Sequence, residues 1–375
     1  MVIGFDGKRA VMNYTGIGNY SRLALESILP LLPDATLRLY TPKIRPNERL
    51  ERLLTSPRVE LQTPDRCVGK LFGSLWRSKM LTSQLRRETP ALYHGLSNEL
   101  PSGIEKSGIP SVVTIHDLIF LRRPEFYHRA DVEICRKKFE YAARAANLVI
   151  AISQRTAYDL RELYGIPEEK IRIVYQGCSP IFNQEVAADV IEANRRRFGR
   201  YIIGVGTIES RKNQLLAVRA LAKLPKDVNL LLLGRRTAYA KLLDEEINRL
   251  GLQQRVTMLQ GVPMAEIPGL YAAAEIASYP SFYEGFGIPM LEAIAAGVPV
   301  VAATGSCLEE AGGPGAIYVD PTNIDEFVNA AMTLLENPQL RAEMVSRGRE
   351  YIARFAPENF GKNLVEVYKE LISIP

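Results

Sequence analysis

The stretch IASYPSFYEGFGIPMLEAIAAGVPVVAA, residues 276–303, runs from a short apolar segment through a glycine-containing loop and a helical pattern into a second apolar segment. Two glutamates, Glu284 and Glu292, lie on either side of its Gly-Phe-Gly sequence and Pro289. Proline suits the first position of a helix, because its missing N–H would have no partner there in any case. We therefore predict that Glu284 lies in the loop after a strand and that Glu292 lies about one turn into the next helix.

The same alternation of short apolar runs and helical patterns extends along the 375-residue chain. It is typical of βα units and predicts an α/β protein with mostly parallel sheets. We expect seven strands in the first half of the chain and six in the second, forming two doubly wound, Rossmann-like domains. The predicted domains span residues 1–185 and 198–355, and residues 356–375 are expected to form a helix that crosses back towards the first domain. Such domains bind ligands at the carboxyl ends of their strands, so a cleft between two facing domains is the expected site.

Composition argues against a cysteine-rich metal protein, a secreted protein and a membrane-spanning protein. Residues 1–187 hold 27 Lys and Arg against 20 Asp and Glu, which suggests an anionic partner for the first half. The four cysteines lack metal-binding spacing, which favours reduced thiols in a cytoplasmic protein. The N-terminus MVIGFDGKRA indicates a first strand and no signal peptide, and no apolar run reaches the ~20 residues of a membrane-spanning helix. We predict a cytoplasmic protein, either soluble or attached peripherally to the inner face of the membrane.

The residues around the two glutamates indicate a ligand. Unpaired amides at a helix N-terminus favour an anion such as phosphate, and glycines let a ligand approach the backbone. Carboxylates repel phosphates, but they accept hydrogen bonds from pairs of hydroxyls. Together these groups predict a ligand with phosphates in its middle and hydroxyl-rich rings at both ends, as in a nucleotide sugar. The alternative, two solvated surface glutamates, is disfavoured because Glu292 lies within the apolar run IPMLEAIAAG.

A second motif, GVGTIESRKNQ (204–214), is predicted to end a strand and to open a helix with Arg211 and Lys212. Two cations at such a junction can neutralise a diphosphate and stabilise it as it departs. A merely solvated basic start of a helix is disfavoured, because cations oppose the helix dipole at that end.

The segment Glu284-Gly285-Phe286-Gly287 followed by Glu292 resembles the E-x7-E motif of the retaining group-1 (family 4) glycosyltransferases, which have the GT-B fold. The sequences LYAAAEIASYPS before it and AGVPVVAA after it agree with that family, and the resemblance extends over nearly the whole chain. It implies that Glu284 holds hydroxyls of the transferred sugar and that Glu292 holds the nucleotide ribose. The backbone amides of Phe286, Gly287 and Ile288 would then face the donor sugar and its phosphates.

The resemblance also assigns the phosphate-binding lysine to Lys212. The family commonly has an arginine directly after the strand glycine, where this chain has Thr207, so Arg211 is the candidate that would take its place. No metal and no cofactor are expected, because the two cations and the helix dipole would neutralise the leaving diphosphate.

Two motifs in the first half are candidates for the same site. The stretch NYTGIGNYS (13–21) fails as a dinucleotide fingerprint because Ser21 replaces the third glycine, but Gly16 and Gly18 would let a phosphate or an acceptor approach, and the family has a glycine pair in this loop. The stretch VVTIHDLIF (112–120) ends a strand with His116 and Asp117. A lone histidine is more often structural, but its place at a strand end favours a role, and the resemblance implies contact with the transferred sugar or the acceptor. His94 ends another strand and would line the acceptor side.

The segment RCVGKLFGSLWRSKMLTSQLRRE (66–88) carries six basic residues with apolar residues between them. That composition suits an interfacial helix on an anionic membrane surface, but it equally suits an ordinary domain helix with a solvated basic face. The first alternative would favour a lipid-linked acceptor. Nucleic acid is not expected as a partner, because the basic residues are few and aromatic platforms for bases are missing.

The resulting hypothesis is a glycosyltransferase that moves a hexosyl group from a nucleotide sugar, GDP- or UDP-linked, to a glycan or a polyprenyl-diphosphate-linked oligosaccharide, with retention at the anomeric carbon. The phosphate loop GTIESRKN (206–213) resembles that of mannosyltransferases of bacterial surface-polysaccharide and lipopolysaccharide assembly, so GDP-mannose is the first choice of donor. Two alternatives stay open: a nucleotide-sugar epimerase on the same fold, and an NAD-dependent dehydrogenase, which the missing third glycine disfavours.

Overall fold

The structure, a computed structural model, describes residues 1–45, 47–64 and 73–374. The chain divides into two units. Unit 1 consists of Met1–Gln176 together with the C-terminal segment that starts at Pro357, and unit 2 consists of Gly177–Ala356.

A parallel sheet of seven strands forms the centre of unit 1, in the order β3-β2-β1-β4-β5-β6-β7. Strands β5 and β6 are buried at every residue, and a strand covered on both faces has a continuous apolar sequence instead of an alternating one. The strands are β1 (Val2–Asp6), β2 (Thr36–Tyr40), β3 (Val59–Gln62), β4 (Leu92–Gly95), β5 (Ser111–Ile115), β6 (Leu148–Ala151) and β7 (Ile171–Ile173). The helices between them are α1 (Lys8–Met12), α2 (Gly16–Ile28), α3 (Glu48–Leu54), α4 (Gly73–Leu75), α5 (Leu81–Glu88), α6 (Ile119–Arg122), α7 (Arg129–Ala145) and α8 (Gln154–Tyr164), and a π-helical turn, Trp76–Met80, joins α4 to α5.

Unit 2 is built on a second parallel sheet, of six strands in the order β10-β9-β8-β11-β12-β13. Its central strands β11 and β12 are again buried throughout. The strands are β8 (Arg200–Val205), β9 (Val228–Leu233), β10 (Val256–Leu259), β11 (Ile276–Tyr279), β12 (Val300–Ala303) and β13 (Ala316–Val319). The helices are α9 (Ala188–Phe198), α10 (Gln214–Leu221), α11 (Ala240–Arg249), α12 (Ile267–Ala272), α13 (Ile288–Ala295), α14 (Leu308–Gly312), α15 (Ile324–Glu336) and α16 (Pro338–Ile352).

The last helix, α17 (Pro357–Lys369), belongs to unit 1 and packs against α2. The two helices approach so closely that a Cβ on Gly361 would lie 2.4 Å from the backbone oxygen of Ser27. Further along α17, the hydroxyl of Tyr368 lies 2.7 Å from Nδ1 of His94 in β4. Helix α17 therefore contributes side chains to the core of unit 1.

The prediction of two doubly wound α/β sheets with seven and six strands is confirmed. One local prediction was wrong, because no helix opens at Arg211 and Lys212. Both residues lie in a short 3-10 turn, Ser210–Lys212, and Asn213 then adopts a left-handed conformation (φ +54°) before α10 begins. The two cations therefore project from the loop that precedes α10.

The basic segment 66–88 is described from residue 73 onward, and residues 66–72 lie outside the described residues. In the described part, Trp76, Leu81 and Leu85 are buried in the core of unit 1. Their burial contradicts a membrane-facing role for these three side chains, so residues 73–88 match the ordinary domain helix that the sequence left open. None of the helices in the described ranges combines the length and the hydropathy that crossing a bilayer requires.

Candidate functional site

The order of the strands in unit 2 identifies where a ligand can bind. The chain winds outward in both directions from two neighbouring strands, β8 and β11, so the loops that follow these strands diverge to opposite faces of the sheet. Doubly wound sheets bind their ligands in the crevice at this switch point, at the carboxyl ends of the strands. The loop after β8 carries Arg211 and Lys212, and the loop after β11 carries Glu284.

Close backbone contacts determine the path of the loop after β8. A Cβ on Gly234 would lie 1.8 Å from the carbonyl oxygen of Gly206, so the ends of β8 and β9 can approach each other only because Gly234 has no side chain. On the other side of the loop, the Asn213 amide donates to the carbonyl oxygens of Pro280, at 3.1 Å, and Pro321, at 2.7 Å. These bonds connect the loop after β8 to the loops that follow β11 and β13.

The two cations converge on one carboxylate. Nη1 of Arg211 lies 2.8 Å from Oε2 of Glu284, and Nζ of Lys212 lies 2.6 Å from its Oε1. Arg211 also pairs with Glu209 at 2.8 Å, and Lys212 donates to the hydroxyl of Tyr279 at 2.6 Å. Because Glu284 is only 7% exposed, the cluster is shielded from water, and charge interactions within it are stronger than they would be at the surface.

Burial and charge oppose each other in this cluster. Burial alone would raise the pKa of Glu284, but Arg211 and Lys212 outweigh that effect and lower the pKa to about 2. The pKa of Lys212 is lowered from its ordinary value, chiefly by burial, while the charge of Glu284 acts in the opposite direction. Glu284 is therefore ionised at neutral pH and holds the two cations in fixed positions.

Glu292 lies in a different environment, one turn into α13. Among the residues that the structure describes, its carboxyl group has neither a hydrogen bond nor an ion pair. Burial raises the pKa of Glu292 to about 7, although the charge of Lys212 acts to lower it. The negative charge of Glu292 contributes in turn to the raised pKa values of Tyr271 and Cys178, so these side chains lie nearby. Glu292 is therefore a half-buried carboxyl group that no described residue of the protein uses as a hydrogen-bond acceptor.

The backbone before Glu292 follows from its glycines and proline. Helix α13 begins at Ile288, one residue before the predicted start, with Pro289 in its first turn and Gly287 preceding it in a left-handed conformation (φ +118°). Gly287 occupies the N-cap position and has no side chain with which to cap this end of the helix. The side chain of Phe286 is buried against Phe355, so any contact that Phe286 makes with a ligand must come from its backbone.

In unit 1, His116 lies directly after β5 and is buried. Its Nε2 is 2.9 Å from the carbonyl oxygen of Leu96, and burial lowers the pKa of the ring to about 4. A carbonyl can only accept, so Nε2 carries the hydrogen and Nδ1 is left as an acceptor. The neighbouring Asp117 accepts a hydrogen bond from the amide of Ile119 at 3.2 Å, at the start of α6.

The glycine pair of unit 1 lies at the first turn of α2, and its two members differ. A Cβ on Gly16 would have no heavy atom of the described residues within 4 Å, so the position is open to an approaching group. A Cβ on Gly18 would lie 2.1 Å from the backbone oxygen of Asn13. The packing of the loop onto the helix is therefore sufficient to require a glycine at position 18, and no ligand is needed to explain it.

This difference predicts unequal effects of two matched substitutions. Gly18→Ala should lower the free energy of unfolding by about 1–3 kcal/mol, because overpacking of this size forces backbone shifts. Gly16→Ala, two residues away in the same turn, should leave stability unchanged or slightly higher, since alanine favours the helix. Thermal unfolding of both variants tests this expectation, and equal melting temperatures for the two would contradict it.

His94 does not line an acceptor surface, so that prediction was wrong. The ring is fully buried, with Nδ1 2.7 Å from the hydroxyl of Tyr368 and Nε2 2.9 Å from the hydroxyl of Thr114. Burial lowers its pKa to about 3, so the ring is neutral and joins β4 and β5 to the C-terminal helix. A histidine at the end of a strand can either contact a ligand or hold the core together. The sequence could not distinguish these two roles, because the partner Tyr368 lies 274 residues away along the chain.

Two residues of the cluster were missed at the level of sequence. Tyr279, the last residue of β11, belongs to no motif that would have identified it. Its hydroxyl and its ring nevertheless both contact Lys212. Asn213 connects three loops from a left-handed conformation. A signal was available for the second, because asparagine is the residue other than glycine that most readily adopts this conformation.

Comparison with known proteins places the chain among glycosyltransferases. The family model of Glycosyl transferases group 1 matches residues 191–351, and that of Glycosyltransferase Family 4 matches residues 34–180. O-antigen chain mannosyltransferase B of Escherichia coli is 27% identical over 95% of this chain and 96% of its own length. An O-antigen chain mannosyltransferase of Salmonella typhimurium is 27% identical over 66% of both chains.

Two solved structures show the same fold. HepE of Anabaena, solved in complex with UDP and glucose, has a TM-score of 0.75 and 24% identity, with 99% of this chain and 100% of that chain covered. Sucrose-phosphate synthase of Thermosynechococcus elongatus has a TM-score of 0.78 and 20% identity, with 99% of both chains covered.

Proposed function

Because the chain belongs to the group 1 glycosyltransferases, with the GT-B fold, we propose that it transfers a mannosyl group from GDP-mannose to a hydroxyl of a glycan or polyprenyl-diphosphate-linked oligosaccharide. The choice of mannose is supported by two relatives that are O-antigen chain mannosyltransferases. The single observation that carries the proposal is the arrangement at the switch point of unit 2. There, Arg211 and Lys212 are held on Glu284, while the carboxyl group of Glu292 has no hydrogen bond or ion pair with any residue that the structure describes.

Each part of a nucleotide sugar has a counterpart in this arrangement. The two cations and the uncapped N-terminus of α13 suit the diphosphate, which carries the charge that both attract. The unused carboxylate of Glu292 suits a pair of ribose hydroxyls, which need acceptors. Glu284 keeps lone pairs beyond those that face the cations, so it can also accept from hydroxyls of the donor sugar.

The proposed mechanism retains the configuration of the anomeric carbon through an oxocarbenium-like transition state. As the bond to the diphosphate breaks, negative charge grows on the leaving oxygen, and Arg211 and Lys212 stabilise it there. An oxygen of the leaving phosphate accepts the proton of the attacking hydroxyl. His116 is neutral at pH 7 and contributes Nδ1 as an acceptor for a hydroxyl of the sugar or the acceptor, with Asp117 next to it. Neither a metal nor a cofactor takes part in this scheme.

The remaining parts of the proposal concern the place of action. We place the enzyme in the cytoplasm, at the inner face of the membrane, in the assembly of bacterial surface polysaccharide. The basic residues Lys79, Arg86 and Arg87 are candidates for contact with anionic headgroups. Arg77, which the sequence placed in the same group, is only 8% exposed and cannot take that role.

A panel of donors tests the proposal. We expect GDP-mannose to raise the melting temperature of the protein more than GDP-glucose, UDP-glucose or ADP-glucose at equal concentration, because ligands that bind only the folded state stabilise it. Incubation with labelled GDP-mannose and membrane extract should then give a labelled glycan with retained anomeric configuration.

Each alternative has its own outcome in the same experiment. An epimerase would convert the donor in the absence of any acceptor, and a dehydrogenase would be stabilised by NAD. If no nucleotide sugar changes the melting temperature and no label is transferred, the proposed function is wrong.

A further inference from the structure

Unit 1 has its own switch point, between β1 and β4, and a charged cluster lies there. Asp6, the last residue of β1, is 2% exposed. Its Oδ2 accepts hydrogen bonds from Nη1 of Arg77 at 2.9 Å and from the hydroxyl of Ser97 at 2.7 Å. Arg77 reaches in from the π-helical turn, and its Nη2 lies 2.6 Å from Oε2 of Glu99 in the loop after β4.

The two acids of this cluster are occupied by Arg77. Burial alone would lower the pKa of Arg77, but Asp6 and Glu99 outweigh that effect and keep the pKa above its ordinary value. Glu99 also has Lys138 of α7 at 3.9 Å. The guanidinium of Arg77 lies between the two carboxylates and pairs with both of them.

Lys8 and Arg9 follow Asp6 along the chain and have no such partner. Within the described residues, neither side chain makes a hydrogen bond or an ion pair, and Nε of Arg9 is buried without a partner. Burial and the charges of Arg77 and Arg9 lower the pKa of Lys8 and outweigh the opposite effects of Glu99 and Asp6. The charge of Arg9 also contributes to the low pKa of His116. Half-buried cations that repel each other raise the energy of the ligand-free protein, and an anion would relieve this.

We propose that Lys8 and Arg9 form a second anion site, which binds a phosphoryl group of the acceptor substrate. The inference rests on the proposed function, in which Arg211 and Lys212 already serve the phosphates of the donor. An arginine fork next to a lysine matches the several oxygens and the double charge of a phosphoryl group better than a single carboxylate does. Acceptors linked to a polyprenyl diphosphate carry such a group, and so do free sugar phosphates.

Binding of inorganic pyrophosphate tests the site. We would use the full chain with Lys212→Met, which weakens the donor site, and add Lys8→Met or Arg9→Met to it. Calorimetric titration should show that either addition weakens pyrophosphate binding at least tenfold. Lys138→Met removes a cation of the same unit that lies at the edge of the cluster, and it should change the affinity less than twofold.

Comparison of these variants distinguishes a specific site at Lys8 and Arg9 from attraction of pyrophosphate by the surface charge in general. The inference is overturned if both additions leave the affinity unchanged, or if Lys138→Met weakens binding as much as they do. Arg9 is buried in part, so its variant must retain the melting temperature of the parent. If it does not, Lys8→Met, which removes no hydrogen bond or ion pair of the side chain within the described residues, decides the matter alone.

Two further measurements identify the source of the phosphate and distinguish the second anion site from the donor site. Farnesyl diphosphate should bind at least as tightly as pyrophosphate, and tighter binding would indicate a lipid-linked acceptor in preference to a free sugar phosphate. In the protein with Lys212 intact, Lys8→Met should leave the affinity for GDP-mannose unchanged, and a parallel loss would overturn the assignment to the acceptor. Failure of the wild-type protein to bind any nucleotide sugar would instead refute the proposed function.

Discussion

Lys212→Met is expected to lower the turnover number of sugar transfer by about 10²–10³-fold, the cost of removing one preorganised group that stabilises a developing negative charge. Methionine is an unbranched side chain only one heavy atom shorter than lysine, but it has no charge and no donor for the hydroxyl of Tyr279. The effect on turnover should exceed the effect on donor affinity, because the charge on the leaving diphosphate grows as the bond breaks. Steady-state and single-turnover rates with the best-stabilising nucleotide sugar measure both quantities.

The matched control for this variant is Lys223→Met. Lys223 is a half-exposed lysine of the same unit, and its partner is the surface residue Asp325. It should retain the activity of the wild type within twofold. Arg211 still neutralises Glu284 in the Lys212 variant, so the protein should remain folded. If Lys212→Met kept more than a tenth of the turnover number, the proposed role of this lysine would be wrong.

Glu292→Gln should have two opposite effects. The folded protein raises the pKa of Glu292 from an ordinary value of 4.5 to about 7, so folding favours the protonated carboxyl. The stabilising contribution of this group is therefore complete below pH 4.5 and is lost as the pH rises through about 7. At pH 8 the glutamine variant should be more stable than the wild type by about 2–3 kcal/mol, at ~1.4 kcal/mol per pKa unit with an allowance for partial exposure.

The same substitution should weaken donor binding about tenfold to a hundredfold, because an amide replaces the carboxylate that accepts both ribose hydroxyls. In the wild type, donor affinity should fall as the pH decreases below 7 and Glu292 becomes protonated, whereas the affinity of the variant should not depend on pH in this range. Unfolding at pH 5 and pH 8, together with donor titrations at both values, measures the two effects.

An exposed glutamate of the same unit, Glu336, provides the control for this pair of effects. Glu336→Gln should change neither stability nor affinity. Equal donor affinities for the wild type and the Glu292 variant would remove Glu292 from the site. Equal stabilities at pH 8 would show that its burial costs nothing.

Much of the site in unit 2 could be predicted because it depends on local pattern. Alternating βα units bring the ends of parallel strands to one edge of a sheet, so Arg211 and Lys212 after one strand and Glu284 after another had to lie near each other. The apolar run around Glu292 correctly indicated that this side chain is not a solvated surface charge.

The errors have a common physical cause, which is contact between distant parts of the chain. Arg77 belongs to a basic amphipathic segment by composition, but its ion pair with Asp6 spans 71 residues and takes it into the interior. His94 has the strand-end position of a functional residue, but its partner Tyr368 is contributed by the last helix. Local sequence patterns contain no information about such partners.

The C-terminal helix has a consequence for how the protein can be divided. Unit 2 is one uninterrupted stretch of chain, Gly177–Ala356, so a fragment with these bounds contains every residue of the unit. A fragment that stops at Gln176 would lack α17 and would expose the buried surface around His94 and Tyr20, which that helix covers. An independent version of unit 1 therefore requires a fusion that joins residue 176 to residue 357 through a designed linker.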